Sequence, residues 1–242
     1  MRILGIIPAR GGSKGVRRKN LRRVGGEPLV SHAIRAGQAA RRLTHLVVST
    51  EDEEIANAAK RLGCEVVPRP SQLASDDAPM VPVAQHALAM VEAAQGRMDA
   101  VAVLQPTTPL RTSEDIDGAL EVLERTGADS VVSVYQVEDQ HPARMYRLTD
   151  GRLVPYASEP SDGLRQSLDV LFHRNGAIYV CRRAVLTEGH GLLGQDLRAW
   201  VMPRERSLNI DDEHDLLMAD LLLQHLRATG AVAEVARAHP QR

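Results

Sequence analysis

The chain has 242 residues, enough for one domain with a substantial buried core or for a domain that carries a sizeable insertion. Hydrophobic residues make up 43% and charged residues 25%, a balance that excludes a disordered or fibrous protein. The formal net charge of −1 and the aromatic content of 2% argue against a nucleic-acid partner, because such proteins present a basic face and often stack bases on aromatic rings.

The cysteines and the apolar runs bear on location. Cys64 and Cys181 are isolated and lack metal-ligand spacing, which favours a reducing compartment. The first apolar run ends at Pro8, too early for the core of a signal peptide, and no stretch approaches 18 apolar residues. We therefore expect a cytoplasmic protein with no membrane partner.

Strand-like and helix-like segments alternate over the first 135 residues. Short apolar runs rich in β-branched residues occupy 3–7, 45–50, 65–68, 100–105 and 130–135. Helical patterns lie between them at 28–40, 51–63, 79–95 and 112–127, the last beginning with a capping-box pattern at Thr112 and Asp115. This alternation predicts an α/β fold, with a doubly wound, mostly parallel sheet covered by helices on both faces.

The alternation stops between residues 136 and 175. An Asp-Gly pair at 150–151 separates two short strand-like runs, which predicts a β-hairpin. We interpret this segment as an arm inserted into the α/β frame, of the kind that reaches a partner subunit. Further strands are predicted at 176–180 and 200–203, followed by an amphipathic helix within 211–230 and a frayed tail. We expect one domain over residues 1–242, with the arm at about 136–175.

Three polar loops directly follow strand-like runs, at 8–15, 69–77 and 104–111. Ligands of open α/β sheets bind outside the carboxyl ends of the strands, so these loops are expected to meet at one edge of the sheet.

The first of these loops has the composition of a phosphate site. Its glycines, Gly11, Gly12 and Gly15, let backbone N–H groups approach an anion closely, and Arg10 and Lys14 supply positive charge. The loop matches neither the GxxxxGK[ST] pattern nor the GxGxxG pattern, and the latter absence argues against a nicotinamide oxidoreductase. A solvated basic turn is the alternative interpretation.

Five separated motifs, in order along nearly the whole chain, resemble the acylneuraminate cytidylyltransferase family. They are IIPARGGSKGVRRKNL from residue 6, VSTEDEEIANAAKRLGCEVVPRPSQLASDDAP from 48, VLQPTTPLR from 103, RNGAIYV from 174 and LNIDDEHDL from 208. The resemblance implies a nucleotide-diphospho-sugar transferase-like fold of the Rossmann type, and a homodimer. It also implies Mg²⁺-dependent transfer of CMP from CTP to a 3-deoxy-nonulosonic, sialic-type acid, with release of pyrophosphate.

The resemblance assigns roles by position in these motifs. Residues for the nucleotide are Arg10, Gly11, Ser13, Lys14, Asn20, Arg69 and Asp76, and residues for catalysis are Arg10, Lys19 and Asp211. Residues for the acid are Gln105, Arg144, Arg165, Arg174, Asn175 and Tyr179. A planar guanidinium suits a carboxylate, and which of the three arginines meets it stays open.

Each of these assignments has a plainer alternative. Arg69 could be an exposed loop charge, and Asp76 could only cap the following helix. Each arginine assigned to the acid could be a surface or interface charge, and Tyr179 could belong to the core of a strand.

The chain departs from the family pattern at the metal site. Asn209 stands where family members commonly carry the first of two aspartates, so Asp211 becomes the main expected Mg²⁺ ligand and Asn209 a weaker one. The alternative is that Asp211 and Asp212 only cap the last helix.

The acid pocket also departs from the pattern. Leu192 and Leu193 replace aromatic residues that sialate-specific relatives place near the N-acyl group, which weakens the case for N-acetylneuraminate itself. A Kdo-like acid, phosphonoformate, or a non-catalytic regulator that only binds nucleotide are the other interpretations.

Overall fold

A computed structural model describes residues 1–13, 15–75, 78–157, 168–189 and 191–229. Its strands are β1 (Ile3–Pro8), β2 (Arg23–Val24), β3 (Glu27–Pro28), β4 (His45–Thr50), β5 (Glu65–Pro68), β6 (Ala100–Val103), β7 (Ser130–Gln136), β8 (Tyr146–Thr149), β9 (Arg152–Pro155), β10 (Phe172–Arg182) and β11 (Leu197–Val201). Its α-helices are α1 (Leu29–Ala39), α2 (Glu53–Arg61), α3 (Met80–Gln95), α4 (Ser113–Thr126), α5 (Arg183–Thr187) and α6 (Glu213–Ala228).

The described residues form a central sheet of seven strands in the order β11-β7-β10-β6-β1-β4-β5. β1 pairs in parallel with β4 and β6, β4 with β5, and β7 with β11. β10 is antiparallel to both of its neighbours, β6 and β7. The predicted fold class, a doubly wound and mostly parallel sheet, is confirmed.

The central strands are buried on both faces. In β1, Ile3 and Ile7 pack into the apolar cluster that includes residues of α1, α2 and α4, whereas Leu4 and Ile6 pack into the cluster that includes residues of α3 and α5. All four side chains are at most 1% exposed, and each contributes about 1.5–3 kcal/mol of hydrophobic stabilisation. This two-sided burial explains the continuous apolar runs in the sequence.

Capping side chains determine where the helices next to the sheet edge begin. The capping box of α4 forms as predicted, with the Thr112 side chain accepting from the Asp115 backbone N–H and the Asp115 side chain accepting from that of Thr112. Asp52 caps α2 by accepting a hydrogen bond from the N–H of Ile55. No helix of the described residues is long and apolar enough to cross a membrane.

The segment 136–175 differs in part from its predicted description. The hairpin forms between β8 and β9, and positive φ angles at Asp150 and Gly151 fit a type I′ turn. However, β10 already begins at Phe172 and belongs to the central sheet, not to the arm. Its first three residues are exposed, so the apolar run that predicted a strand starts only at residue 176, and the pairing with β7 shifts register between Arg174 and Tyr179. Residues 158–167 of the predicted arm, and the predicted tail at 231–242, lie outside the described residues.

Helix α6 fixes the segment just before it against the sheet edge. A small apolar cluster joins Leu216 and Leu223 of α6 with Val16, Val24 and Ile210. The backbone N–H of Ile210 also donates to the carbonyl oxygen of Thr107, in the loop after β6, at 2.8 Å. Residues 209–211 therefore lie beside that loop.

Candidate active site

Two cavities open at the carboxyl edge of the sheet. The smaller, about 300 Å³, is lined by residues from all three polar loops, including Arg10, Arg69 and Gln105. The larger, about 600 Å³, lies between the end of β7, the start of β10 and the segment before α6. Gln105, Asn209 and Asp211 line both cavities. The predicted convergence of the loops is confirmed, and a ligand in one cavity would lie next to a ligand in the other.

The first polar loop is held by its own side chains. Asn20 is 6% exposed, and its amide donates to the carbonyl oxygen of Arg10 at 2.9 Å. The Arg10 guanidinium donates to the carbonyl oxygen of Ser75 at 3.0 Å, so the first and second loops meet across the cavity. Ser13 also lines this cavity, while the N–H of Gly11 donates to the carboxylate of Glu51. Lys14 and Asp76 lie outside the described residues.

Arg69 is buried at the end of β5. It is 8% exposed and donates to the carbonyl oxygen of Ser49 at 2.7 Å. Burial lowers the pKa of this guanidinium, and the neighbouring Glu51 carboxylate opposes that shift. The alternative interpretation of Arg69 as an exposed loop charge is wrong. A buried arginine in the wall of a cavity suits recognition of polar acceptors on a nucleotide.

Lys19 and Asp211 meet where the two cavities join. The Lys19 ammonium donates to the carbonyl oxygen of Ile210 at 2.7 Å and lies 3.7 Å from Oδ1 of Asp211. The Asp211 side chain is 75% exposed, and its Oδ2 accepts from the amide of Asn209 at 2.7 Å. The N-cap of α6 is Asp212, whose side chain forms a capping box with Asp215. The carboxylate of Asp211 is therefore not the capping group.

The residues around Asp211 offer Mg²⁺ few ligands of their own. In the part of the chain that the structure describes, no group of three or more His, Cys, Asp and Glu side chains could hold a metal ion. Asp211 nevertheless offers an exposed carboxylate, and one or two carboxylates together with substrate phosphates are the usual Mg²⁺ set. Asn209 directs its N–H₂ group at Asp211, so its oxygen would face the same ion only after the amide rotates. These side chains fit a Mg²⁺ ion whose main ligands are the phosphate oxygens of a nucleotide.

A buried polar network forms the wall of the larger cavity. The amide of Asn175, 3% exposed, accepts from the hydroxyl of Ser133 at 2.6 Å and from the N–H of Ala177 at 3.1 Å. It also donates to the hydroxyl of Ser207 at 2.9 Å. These contacts hold Gly176 in its positive φ of 76°, where a Cβ would lie 3.1 Å from Oε1 of Gln105. Asn175 thus supports the wall of the cavity that it lines.

Arg111 supports the same wall from inside. It is 2% exposed and donates to the carbonyl oxygens of Gln105, at 3.1 Å, and of Ala177, at 2.7 Å. Burial lowers the pKa of its guanidinium to about 10, and Asp115 opposes that shift. Arg111 ties the loop after β6 to β10 and does not line either cavity.

The arginines assigned to the acid occupy different places. Arg174 lines the larger cavity. Arg144 does not, because it lies in the short 3₁₀ turn Pro142–Arg144, where it pairs with Asp139 at 2.6 Å. Arg165 lies outside the described residues. Tyr179 both lines the larger cavity and packs against the sheet core, which combines the two interpretations of this residue.

Several polar residues of the larger cavity were not among the residues predicted for the site. His173 and Tyr135 face each other there, edge to face, with ring centroids 5.6 Å apart. Arg204 lines the cavity too and pairs with Glu138 at 2.8 Å. Only the basic character of the turn before residue 207 could have indicated Arg204, whereas the position of His173 directly before Arg174, in the segment predicted to be the arm, was a signal in the sequence.

Comparison with known proteins identifies the family. A sequence profile described as cytidylyltransferase matches residues 4–173, well over half of the chain. The chain belongs to the cytidylyltransferase family. The resemblance carried by the five motifs is confirmed, and the protein is a nucleotidyltransferase.

The curated relatives differ in length. The chain is 30% identical to the Campylobacter coli "Post-translational flagellin modification protein B", over 92% of this chain and 95% of the relative. It is also 30% identical to the Legionella pneumophila "CMP-N,N'-diacetyllegionaminic acid synthase", over 93% and 97%. The Escherichia coli "N-acylneuraminate cytidylyltransferase" is 30% identical over 92% of this chain, but the chain spans only 52% of that relative.

Two solved structures share the fold of this cytidylyltransferase. A CMP:2-keto-3-deoxy-manno-octonic acid synthetase complexed with CTP aligns with a TM-score of 0.67 and 15% identity, over 93% of this chain and 99% of the other. The 4-diphosphocytidyl-2C-methyl-D-erythritol synthase of Anaerococcus prevotii aligns with a TM-score of 0.61 and 11% identity, over 92% and 96%. At these identities the likeness supports the fold alone.

Proposed function

We propose that the protein transfers CMP from CTP to a 3-deoxy-nonulosonic, sialic-type acid and releases pyrophosphate. The observation that carries the proposal is the pair of joined cavities, one faced by the basic glycine loop and one by Arg174, with three shared lining residues. The names of the Legionella and Escherichia relatives support an acid of this class over a Kdo-like acid or phosphonoformate.

In the proposed reaction, CTP occupies the smaller cavity and the acid occupies the larger one. The anomeric hydroxyl group of the acid loses its proton to solvent, its oxygen forms a bond to the α-phosphorus, and the bond from that phosphorus to the leaving pyrophosphate breaks. Arg10 and Lys19 stabilise the negative charge that spreads over the phosphate oxygens, and the rigid walls hold the nucleophile in line. A Mg²⁺ ion held by Asp211, with Asn209 as a weaker ligand, would neutralise part of that charge when bound.

Binding of the two substrates divides among the predicted residues. Arg69, Ser13 and Asn20 hold or frame the nucleotide, and Gln105 lies where both substrates meet. Arg174 and Tyr179 face the acid, while Asn175 keeps the cavity wall in place. The assignments of Lys14, Asp76 and Arg165 stay predictions from the family motifs.

The test is a direct assay of pyrophosphate release. Purified protein is incubated with CTP, Mg²⁺ and a panel that contains sialic-type nonulosonic acids, a Kdo-like octulosonic acid and phosphonoformate. We expect release with at least one nonulosonic acid and little release when UTP or ATP replaces CTP. No release with any acid, together with tight CTP binding in calorimetry, would support the non-catalytic regulator instead.

We also propose that the arm forms a homodimer. Its hairpin exposes Leu148 by 73% and Leu153 by 65%, and Phe172, at the start of β10, is 50% exposed. A two-stranded hairpin is marginally stable alone, and apolar patches of this kind are typical of protein interfaces. Light scattering after size exclusion should give twice the chain mass, and Leu148→Asp with Leu153→Asp should give the monomer. A monomeric parent protein would contradict the proposal.

Two expectations remain: the role of Arg144, which depends on the dimer, and the location of the protein in the cell. Arg144 does not line either described cavity of its own chain, so we propose that it meets the acid bound to a second copy. A cytoplasmic location stays a prediction. Cys64 and Cys181 are both buried, and burial raises the pKa of each thiol to about 12.

A further inference from the structure

Two consecutive acids at the end of β4 contact both ends of the basic glycine loop. Oε1 of Glu51 accepts a hydrogen bond from the backbone N–H of Gly11 at 2.7 Å. The carboxylate of Asp52 accepts from Nη2 of Arg18 at 3.0 and 3.3 Å. Arg18 has a positive φ of 54°, a conformation that a residue other than glycine rarely adopts without support. The two acids therefore bracket residues 11–18.

We propose that Glu51 is a positioning residue for nucleotide binding, which holds the glycine loop in its binding conformation through the Gly11 N–H, with Asp52 as the second anchor. This inference rests on the proposed function, because it concerns the same CTP site. Both acids lie in the turn between β4 and α2. Asp52 does serve that helix as its N-cap, and it contacts the loop as well.

The position of Glu51 suits a residue that supports the glycine loop and does not itself contact the nucleotide. Its side chain is 24% exposed and is not among the described groups that line the smaller cavity. Its second oxygen lies 4.0 Å from Nη1 of Arg69, which is itself held by Ser49. The negative charge of Glu51 is thus partly balanced by a buried cation, and the carboxylate joins the first loop to the arginine of the second.

The close approach of these acids gives a physical reason for glycine at position 11. A Cβ on Gly11 would lie 2.5 Å from Oδ2 of Asp52 and 3.0 Å from its Cβ and Cγ atoms, so no larger residue fits without moving the acid. In this arrangement the N–H of Gly11 is engaged by Glu51. Contacts to the phosphates then depend on the remaining donors of the loop.

The test compares Glu51→Gln with Glu51→Ala. Glutamine keeps an acceptor for the Gly11 N–H and removes the charge, whereas alanine removes both. We expect Glu51→Ala to weaken CTP binding about tenfold in calorimetry, since it leaves one loop N–H without its partner. We expect Glu51→Gln to stay within about threefold of the parent. Neither change should alter the KM of the acid. Glu53→Ala, an exposed acid in the same turn, is the matched control and should change nothing.

The direction of the change separates positioning from competition. If Glu51 competed with phosphate for the loop, both substitutions would tighten CTP binding, and the proposal would be overturned. It is also overturned if alanine has no effect, or if glutamine weakens binding as much as alanine does.

A readout without nucleotide keeps this inference separate from the proposed function. Hydrogen exchange of the Gly11 amide in the free protein should become faster in Glu51→Ala and stay slow in Glu51→Gln. If the parent protein binds no CTP, the proposed function fails, and the exchange data still decide whether Glu51 holds the loop. Equal exchange in all three proteins would refute the role of Glu51.

Discussion

The two cavities are built from different kinds of structure. The smaller one lies between loops that leave parallel strands β1, β5 and β6, and its polar groups are fixed by neighbouring backbone. The larger one depends on β10, the antiparallel strand with a register shift, and on the irregular segment before α6. The position of the smaller cavity thus follows from the general geometry of α/β sheets, whereas the larger cavity depends on an irregular strand and loop that this geometry does not dictate.

The largest effect is expected when the charge of Arg10 is removed from the smaller cavity. Because preorganised charges act mainly on the transition state, we expect Arg10→Ala to lower kcat by about 10²- to 10³-fold. Steady-state pyrophosphate release at saturating substrates measures the effect. Arg17→Ala removes an exposed charge from the same loop and should keep kcat within about twofold. If the kcat of Arg10→Ala stays close to that of the parent protein, Arg10 has no catalytic role.

The contrast between the cavities also explains what the sequence could predict. Strand-end placement, glycines and clustered charge marked the first loop, so the convergence of Arg10, Arg69 and Gln105 was predictable. The larger cavity was predicted through family motifs, which found Arg174 and Asn175 but missed His173 and Arg204. His173 directly precedes the motif that begins at Arg174, whereas Arg204 reaches the cavity only through tertiary packing, which no short-range pattern records. The positioning contact of Glu51 joins residues forty positions apart and was missed for the same reason.

Removal of Arg174 tests the acid end of the comparison. A charged hydrogen bond to a carboxylate contributes about 1.5–3 kcal/mol, so Arg174→Ala should raise the KM of the acid by about 10- to 100-fold. The KM of CTP should change far less. Arg144→Ala is the informative companion, because its side chain lies outside the cavity of its own chain. An effect of Arg144→Ala that disappears in the monomeric hairpin variant would place Arg144 in the site of a second copy.

A smaller effect is expected from the wall of the larger cavity. In Gly176→Ala the new Cβ would lie 3.1 Å from Oε1 of Gln105, at a φ of 76°. We expect the KM of the acid to rise by about tenfold through the displaced Gln105, more than the KM of CTP, and stability to fall by about 1–2 kcal/mol. Gly63→Ala imposes a similar φ, 69°, with no described atom within 4 Å of the Cβ. It should lose similar stability in a thermal melt and leave the KM of the acid unchanged. Equal KM values for the two variants would show that the wall does not shape the acid site.

The smallest predicted effect concerns Asn209, where the two cavities meet. In Asn209→Asp a second carboxylate faces Asp211, and the two charges repel each other unless a cation lies between them. A further charge near an exposed ion contributes about 1 kcal/mol, so the Mg²⁺ concentration for half-saturation should fall by about fivefold. Calorimetry with Mg²⁺ and CTP measures this apart from turnover. Asn209→Ala removes the hydrogen bond to Asp211 without adding charge, and weaker Mg²⁺ binding in this variant would show that the amide supports the site. If Asn209→Asp leaves Mg²⁺ binding unchanged, the ion is not held at this end of the nucleotide cavity, and Asp211 must act through Lys19 instead.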